Sequence, residues 1–399
     1  MADVDSFRTE IRAWLAANCP PTCQGKSNVL PDMVWGGRRQ TWPHPDAKLW
    51  FDRLVEKGFT VPTWPKAYGG AGISPAENKV LQEEMARIGT RSMLFNFGIG
   101  MLAPALMEFA SEDQKRLHLN RTARGEIRWC QGYSEPGAGS DLASLRTSAV
   151  RDGDDYVING QKIWTSDANV SDWIFCLVRT DPEAPKHLGI SFLLFDMESP
   201  GVSTSPIELI SGSSPFCQTF FDNVRVPVTQ RVHTENRGWD VAKALLNHER
   251  TMLADGGRGS AAGAARKSLL QVARQAMGAS EGRLPDAAMR EELVQWEMDR
   301  LCYEATLKRT MDAAKAGKGM GPEGSMFKLY LSEMNQRGAD LRQRIAGHEA
   351  LVWTGDDCPA DERQITREWL YGKASTILGG TSEIQLNIIS KRVLGLPGD

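Results

Sequence analysis

Val241, Leu245, Glu249 and Leu253 fall at steps of four, with Leu246 and Met252 alongside. Residues at that spacing share one face of a helix, so Glu249 is a lone carboxylate on an apolar stripe. A carboxyl held away from water titrates higher than an exposed one and is a stronger base. Proton abstraction is the chemistry it can perform. An ion pair with Arg250 or Arg258, or an interface contact, is the structural role that spacing alone favours. His248 points about 100° away on an ideal helix and reads as a packing residue or hydrogen-bond partner. Arg250 offers a planar charged fork suited to phosphate or carboxylate, and a solvated helix face suits it too. The glycine- and alanine-dense segment from Ala254 to Ala265 fits close helix packing or clearance for a ligand.

A second stretch, Trp129-Cys130-Gln131-Gly132-Tyr133-Ser134-Glu135-Pro136-Gly137-Ala138-Gly139-Ser140-Asp141, runs a short aromatic and polar strand into a turn. Glycines there let a backbone approach a ligand and expose its N–H groups. Ser134, Ser140 and Asp141 add hydroxyls and a carboxylate. Near the C-terminus, Ile377-Leu378-Gly379-Gly380-Thr381-Ser382-Glu383-Ile384-Gln385 interrupts two helices. Thr381 or Ser382 can cap the final helix, whose first N–H groups suit an anion or the polar edge of a cofactor. Lys391 and Arg392 read as solvated charges.

The elements that must position these groups follow from periodicity. Residues 1 to about 124 read as helices, with helical spacing at Leu49, Leu54, Val55 and Phe59 and at Val80, Leu81, Met85 and Ile88. The segment from Pro62 to Gly72 is a loop punctuated by proline and glycine. Leu102–Phe109 and Glu112–Leu119 continue the helical pattern. From Ile127 the pattern changes: Trp173–Val178, Ile190–Phe195 and Phe216–Phe221 are β-branched or aromatic runs. Tyr156-Val157-Ile158 and Gln161-Lys162-Ile163-Trp164 flank Asn159-Gly160, which predicts a tight hairpin. Helical spacing returns at Trp239. The order helices, strands, helices points to an α+β multidomain protein with an antiparallel middle barrel or sandwich.

With 399 residues, 41% hydrophobic and 24% charged, the chain is long enough for two to four domains and can build a sizeable core. A net charge of −3 argues against a nucleic-acid binder. No run approaches the roughly 18 apolar residues that span a bilayer, so no membrane span is expected. Met1–Leu15 is polar and helical in pattern rather than an export signal. The seven cysteines are scattered, Cys19 and Cys23 alone are near neighbours, and no metal site is predicted. Reduced thiols and a cytoplasmic setting are the simplest expectation.

Five stretches, in order, resemble the acyl-CoA dehydrogenase family from Phe51 to Pro397. They are Trp64-Pro65 to Gly72, Tyr133-Ser134-Glu135-Pro136 to Asp141, Asn159-Gly160-Gln161-Lys162 with Trp164, Asn223-Val224-Arg225-Val226-Pro227, and Gly380-Thr381-Ser382-Glu383-Ile384-Gln385. The resemblance implies a helical domain over 1–124, a middle antiparallel β domain over 125–238 and a C-terminal four-helix bundle over 239–399. It also implies a tetrameric flavoprotein with FAD between domains and subunits. By that resemblance Gln131, Tyr133, Ser134, Gly139 and Ser140 line the flavin, with Ser134 at its ring edge. Trp164, Thr165 and Ser166 cover the other side, and Thr381 and Glu383 reach it from the C-terminal domain. Ser140, Asn247 and Arg250 meet the acyl-CoA. The implied reaction is α,β-dehydrogenation of an acyl-CoA thioester within lipid metabolism, with electron-transfer flavoprotein as acceptor.

The chain departs from the family at three places. Many members carry the base as the glutamate of a Tyr-Glu-Gly-Thr run, where this chain has Leu378-Gly379-Gly380-Thr381. Isovaleryl-CoA and long-chain types place it instead on a crossing helix before an arginine, which Glu249-Arg250 matches. An Arg-x-x-Phe-Gly element that reaches a neighbour's FAD survives as Arg274-Gln275-Ala276-Met277-Gly278. A Gln-x-x-Gly-Gly-x-Gly element reads Gln343-Arg344-Ile345-Ala346-Gly347-His348-Glu349. Such erosion is similar to the heteromeric acyl-CoA dehydrogenases of bacterial steroid side-chain breakdown, so both a homotetramer and an α2β2 heterotetramer are expected assemblies. Gly379 and the glycine-rich segment 256–263 imply branched, bulky or long acyl chains.

Overall fold

The computed structural model describes residues 2–25, 29–254, 268–313, 321–352 and 360–397. Contacts divide the chain into two compact units: Met1–Ile207 with Pro215–His248, and a second that takes in Glu208–Ser214 and most of the sequence from Glu249 onward.

The first unit opens with helices α1 (Ala2–Asn18), α2 (Pro45–Lys57), α3 (Pro75–Arg87), α4 (Ala103–Phe109) and α5 (Glu112–Ala123). Local chemistry sets their ends. Ser74 and Glu77 form a capping box ahead of α3, and Ser111 and Gln114 form another ahead of α5, each satisfying two orphan backbone donors. Ile11, Leu15, Trp50, Phe51, Leu54, Leu81 and Met85 make the helical core. Each such side chain contributes about 1.5–3 kcal/mol by leaving water. Beneath α3, Glu84 is buried yet answered by Arg8, Arg12 and Arg87, with N···O distances of 2.7–2.9 Å.

The strands are β1 (Trp129–Gly132), β2 (Ser148–Asp152), β3 (Asp155–Ser166), β4 (Trp173–Arg179), β5 (Ile190–Asp196), β6 (Val202–Ile207), β7 (Phe216–Pro227) and β8 (Arg231–Val232). Among the described residues they form one sheet in the order β6-β7-β3-β2-β4-β5-β8, with β1 paired to β4. Most pairings are antiparallel, but β1 and β2 each meet β4 in parallel. Cys130, Ile158, Ile174, Cys176, Val178, Leu193, Val224 and Val226 fill the sheet's core. Gln114 ties α5 to the sheet, its amide donating to the carbonyls of Thr229 (2.7 Å) and Arg231 (2.9 Å).

The hairpin expected at Asn159-Gly160 does not form. β3 runs unbroken from Asp155 to Ser166, and its turn to β2 is Gly153-Asp154, with Asp152 opposite Asp155. Asn159-Gly160 is a bulge instead, marked by a register shift against β7. Gly160 has φ +140°, and a Cβ there would lie 2.8 Å from Thr147 Cα, so close backbone approach explains this glycine. A turn dipeptide and a bulge glycine look alike in sequence.

Helix α6 (Gly238–Ala254) contains the division between the units, which falls between His248 and Glu249. The second unit holds α7 (Leu269–Met277), α8 (Ala287–Ala313), α9 (Gly324–Ala346), α10 (Ala360–Gly372) and α11 (Ser382–Ile388). Helix α9 packs on the other four. One of its cores joins Leu269, Ala273, Leu293, Leu341 and Ile345, and another joins Tyr303, Leu307, Phe327 and Met334. No described helix is long and apolar enough to cross a membrane.

Candidate functional site

In the first unit the turn after β1 is clamped from below. Glu135 and Ala138 exchange backbone hydrogen bonds of 3.0 Å, which closes the turn. The Glu135 side chain points inward, where Oε1 accepts from Lys162 Nζ (2.8 Å) and the Thr147 amide (2.9 Å), and Oε2 from the Arg146 amide (2.7 Å). Lys162, fully buried on β3, also donates to the Tyr133 carbonyl at 3.1 Å. Burial pushes the Glu135 carboxyl up, but the Lys162 ammonium and the donors from Thr147 and Arg146 hold it below its ordinary value. Sequence motifs contain both residues but do not reveal that they pair.

This clamp presents Gln131 and Ser134 half-buried at the edge and Gly137, Gly139 and Ser140 exposed at the tip. The side chains of Gln131, Ser134 and Ser166 make no hydrogen bond to another described residue. The Tyr133 ring lies in the core, edge-on to Phe175 (6.1 Å) and Phe192 (6.4 Å). Asp141 pairs with Lys186 at 2.6 Å.

At the end of β3 a second register shift distorts the strand between Lys162 and Thr165. There Trp164 is half exposed with φ +60°, a conformation that costs a bulky L-residue about 1–2 kcal/mol. Such strain collects at ligand clamps. Thr165 is wholly buried, and its hydroxyl has no partner among the described residues, while Ser166 reaches the surface. Asp167, also left-handed at φ +53°, is fixed by Arg128 at 2.9 Å, whose guanidinium lies 4.8 Å from the centre of the Trp35 ring. A half-exposed indole beside free hydroxyls and an amide fits a flat ring with polar edges, as the isoalloxazine of FAD is.

In the second unit Gly379 (φ +66°) and Gly380 (φ +96°) form a left-handed turn into α11. Thr381 is the cap: its Oγ1 accepts the Ile384 amide at 3.3 Å. Glu383 stands exposed on the first turn, where backbone N–H donation and the Thr381 hydroxyl hold its carboxyl below the ordinary range. Arg274, in the last turn of α7, lines a groove of about 370 Å³ together with Arg283 and Arg290, over a floor that includes Leu293 and Trp296. These three arginines have no carboxylate partner among the described residues.

The adenosine-side element fits poorly within this chain. The Gln343 amide donates to Thr366 Oγ1 at 3.1 Å, which commits it inside the unit, and Glu349 is an exposed carboxylate. Asn247, His248, Glu249 and Arg250 lie on α6, but their side chains fall outside the described residues, as does most of the Ala254–Ala265 segment. Among the described residues no cluster of three or more His, Cys, Asp or Glu side chains is placed to hold a metal.

The N-terminal, middle and C-terminal domain profiles of the acyl-CoA dehydrogenases match residues 3–126, 130–224 and 236–394. The chain is 36% identical over 398 residues to "Acyl-CoA dehydrogenase IpdE1" of Mycobacterium tuberculosis, covering 100% of this chain and 99% of that protein. Among solved structures, one described as "Tcur3481-Tcur3483 steroid ACAD" is 31% identical with a TM-score of 0.73, covering 100% of this chain and 99% of the other. The ChsE4-ChsE5 complex from Mycobacterium tuberculosis is 29% identical with a TM-score of 0.69, again covering 100% and 99%.

Proposed function

This chain belongs to the acyl-CoA dehydrogenase family and is an acyl-CoA dehydrogenase; from that premise we propose that it oxidises a bulky acyl-CoA thioester to the trans-2-enoyl-CoA, with Glu249 as the base. Bound FAD supplies the acceptor, at N5, for the hydride that leaves the β-carbon. The α-proton passes to the Glu249 carboxylate as the α,β double bond forms, so atoms and electrons balance. Gln131, Ser134, Gly139, Ser140, Trp164 and Ser166 hold the ring from the middle domain. The Tyr133 and Thr165 side chains act from within the sheet, and Thr381 and Glu383 serve from the C-terminal domain. Ser140, Asn247 and Arg250 hold the thioester substrate. Domain limits near 124 and 238 suit this division of labour.

The observation that carries the base assignment is Gly379. It has no side chain and so carries no carboxylate, and its φ of +66° is one that L-residues adopt only at a cost of about 1–2 kcal/mol. The proton acceptor must come from elsewhere, and Glu249 is the carboxylate on the apolar stripe of α6. Hydrogen bonds to the thioester oxygen would stabilise the developing enolate. A base kept from water is suited to so weak an acid.

For the assembly, the committed Gln343 and the exposed Glu349 favour an α2β2 heterotetramer over a homotetramer, with the other subunit completing the adenosine half of each FAD site. Arg274 and its two neighbouring arginines then supply phosphate contacts to a site across the interface. Relatives named as steroid or paired-subunit enzymes support ring-bearing acyl thioesters as first substrates. Electron-transfer flavoprotein is the proposed acceptor and the cytoplasm the proposed compartment. An anaerobic flavin-bleaching screen over an acyl-CoA panel tests this, with and without a partner subunit. Bleaching by bulky thioesters supports it; equal rates on butyryl-CoA contradict the substrate assignment.

A further inference from the structure

Helix α9 carries a polar spine at steps of four, a spacing that keeps residues on one face. Asp340 accepts from Lys373 Nζ (2.6 Å) and the Trp369 indole (2.5 Å). Gln336 donates to the carbonyls of Gly372 (3.3 Å) and Lys373 (3.0 Å) and to Thr376 Oγ1 (3.1 Å). The Ser332 carbonyl accepts from Ser375 Oγ at 3.3 Å. At the end of the row Lys328 Nζ donates to the Gly380 carbonyl at 2.6 Å. One face of one helix therefore pins the whole link between α10 and α11, from Gly372 to Gly380.

Lys328 is the costly member. Only 6% exposed, it has no carboxylate within ion-pair distance among the described residues. Burial pushes its ammonium below the ordinary lysine range, with Glu333 opposing the shift. A buried cation spent on one carbonyl is a poor stability device unless the carbonyl's position matters. Gln385, 1% exposed on α11, reinforces it by donating to the Gly379 (3.0 Å) and Gly380 (3.5 Å) carbonyls. Its Oε1 is left without a partner among the described residues.

We propose that Lys328 is a positioning residue for the Gly379–Thr381 turn, fixing through the Gly380 carbonyl the segment of the C-terminal unit that serves the flavin. This rests on the function proposed above. By holding two consecutive left-handed glycines, Lys328 sets where the Thr381 hydroxyl and the first amides of α11 stand.

The test compares full-length wild type with Lys328→Met, Lys328→Arg and Gln336→Leu, two steps along the spine. In the flavin-free protein, hydrogen exchange of the Leu378 and Ile384 amides rises about tenfold or more in Lys328→Met. It returns to within about threefold of wild type in Lys328→Arg. Gln336→Leu raises exchange around Thr376 and spares Ile384. In a fluorescence titration, Lys328→Met weakens FAD binding about tenfold and shifts the bound flavin's absorption band. If Lys328→Met does not fold, Lys328→Gln replaces it under the same criteria. Unchanged exchange at Ile384, or equal loss in Lys328→Met and Gln336→Leu, overturns the proposal. Raised exchange with unaltered FAD affinity and spectrum overturns its link to the flavin. Should wild type bind no FAD with or without a partner subunit, the proposed function falls while the exchange arm still decides the role of Lys328.

Discussion

Lys162 Nζ stands 2.8 Å from Glu135 Oε1, the lysine wholly buried and the glutamate 9% exposed. This pair joins the centre of β3 to the turn that carries Ser134 and Ser140, so a strand of the sheet dictates where that turn sits. Breaking a buried pair by removing one partner leaves an uncompensated charge, at about 3–5 kcal/mol. Lys162→Met lowers stability by that amount in urea unfolding. Lys162→Met/Glu135→Gln recovers part of the loss, and both variants shed FAD. A Lys162→Met protein as stable as wild type contradicts the clamp.

Acid should destabilise the first unit in two stages. His118 is buried, edge-on to Trp129 and Trp173, and burial lowers it from 6.5 to about 4. Its depressed folded value means that its stability contribution is full above pH 6.5 and fades as pH falls toward 4. The Arg12 hydrogen bond, assisted by Arg8 and Arg87 against burial, lowers Glu84 from 4.5 to about 2. That contribution is lost as pH falls from 4.5 toward 2. Melting temperature therefore declines first below pH 6.5, and His118→Phe flattens that first stage. A flat profile in wild type between pH 6.5 and 4 contradicts this.

The proposed role of Trp164 is to cover the flavin ring at a cost in backbone strain. Trp164→Gly relieves a left-handed conformation costing about 1–2 kcal/mol, which offsets the lost edge contact with Phe216 and the added chain entropy. The expected variant unfolds within about 1 kcal/mol of wild type but binds FAD about tenfold more weakly. Retained affinity would show that the indole does not cover the ring.

At the second glycine turn, Gly379→Ala should cost about 1–2 kcal/mol because its φ of +66° disfavours a side chain. Gly379→Glu placed in a Glu249→Gln background should not restore turnover. Recovery there would show that the turn can carry the base after all.

Much of the fold was legible. Periodicity located α2, α3 and α5, the runs at Trp173, Ile190 and Phe216 became strands, and Thr381 became the cap of α11. Asn159-Gly160 misled because Gly160 is required by the approach of Thr147, a contact 13 positions away in sequence that local spacing does not encode. The Glu135–Lys162 pair and the spine on α9 were hidden for the same reason: each depends on which elements become neighbours. Glu249 stood out in the sequence because a charge interrupts an apolar stripe, which is a local signal.

The most direct test of the account is anaerobic mixing of flavin-loaded Glu249→Gln with a bulky acyl-CoA that bleaches the wild type. The glutamine cannot accept the α-proton, so the flavin band should persist while FAD content and thioester binding stay near wild type. Bleaching of the variant at the wild-type rate would contradict the assignment of Glu249 as the base.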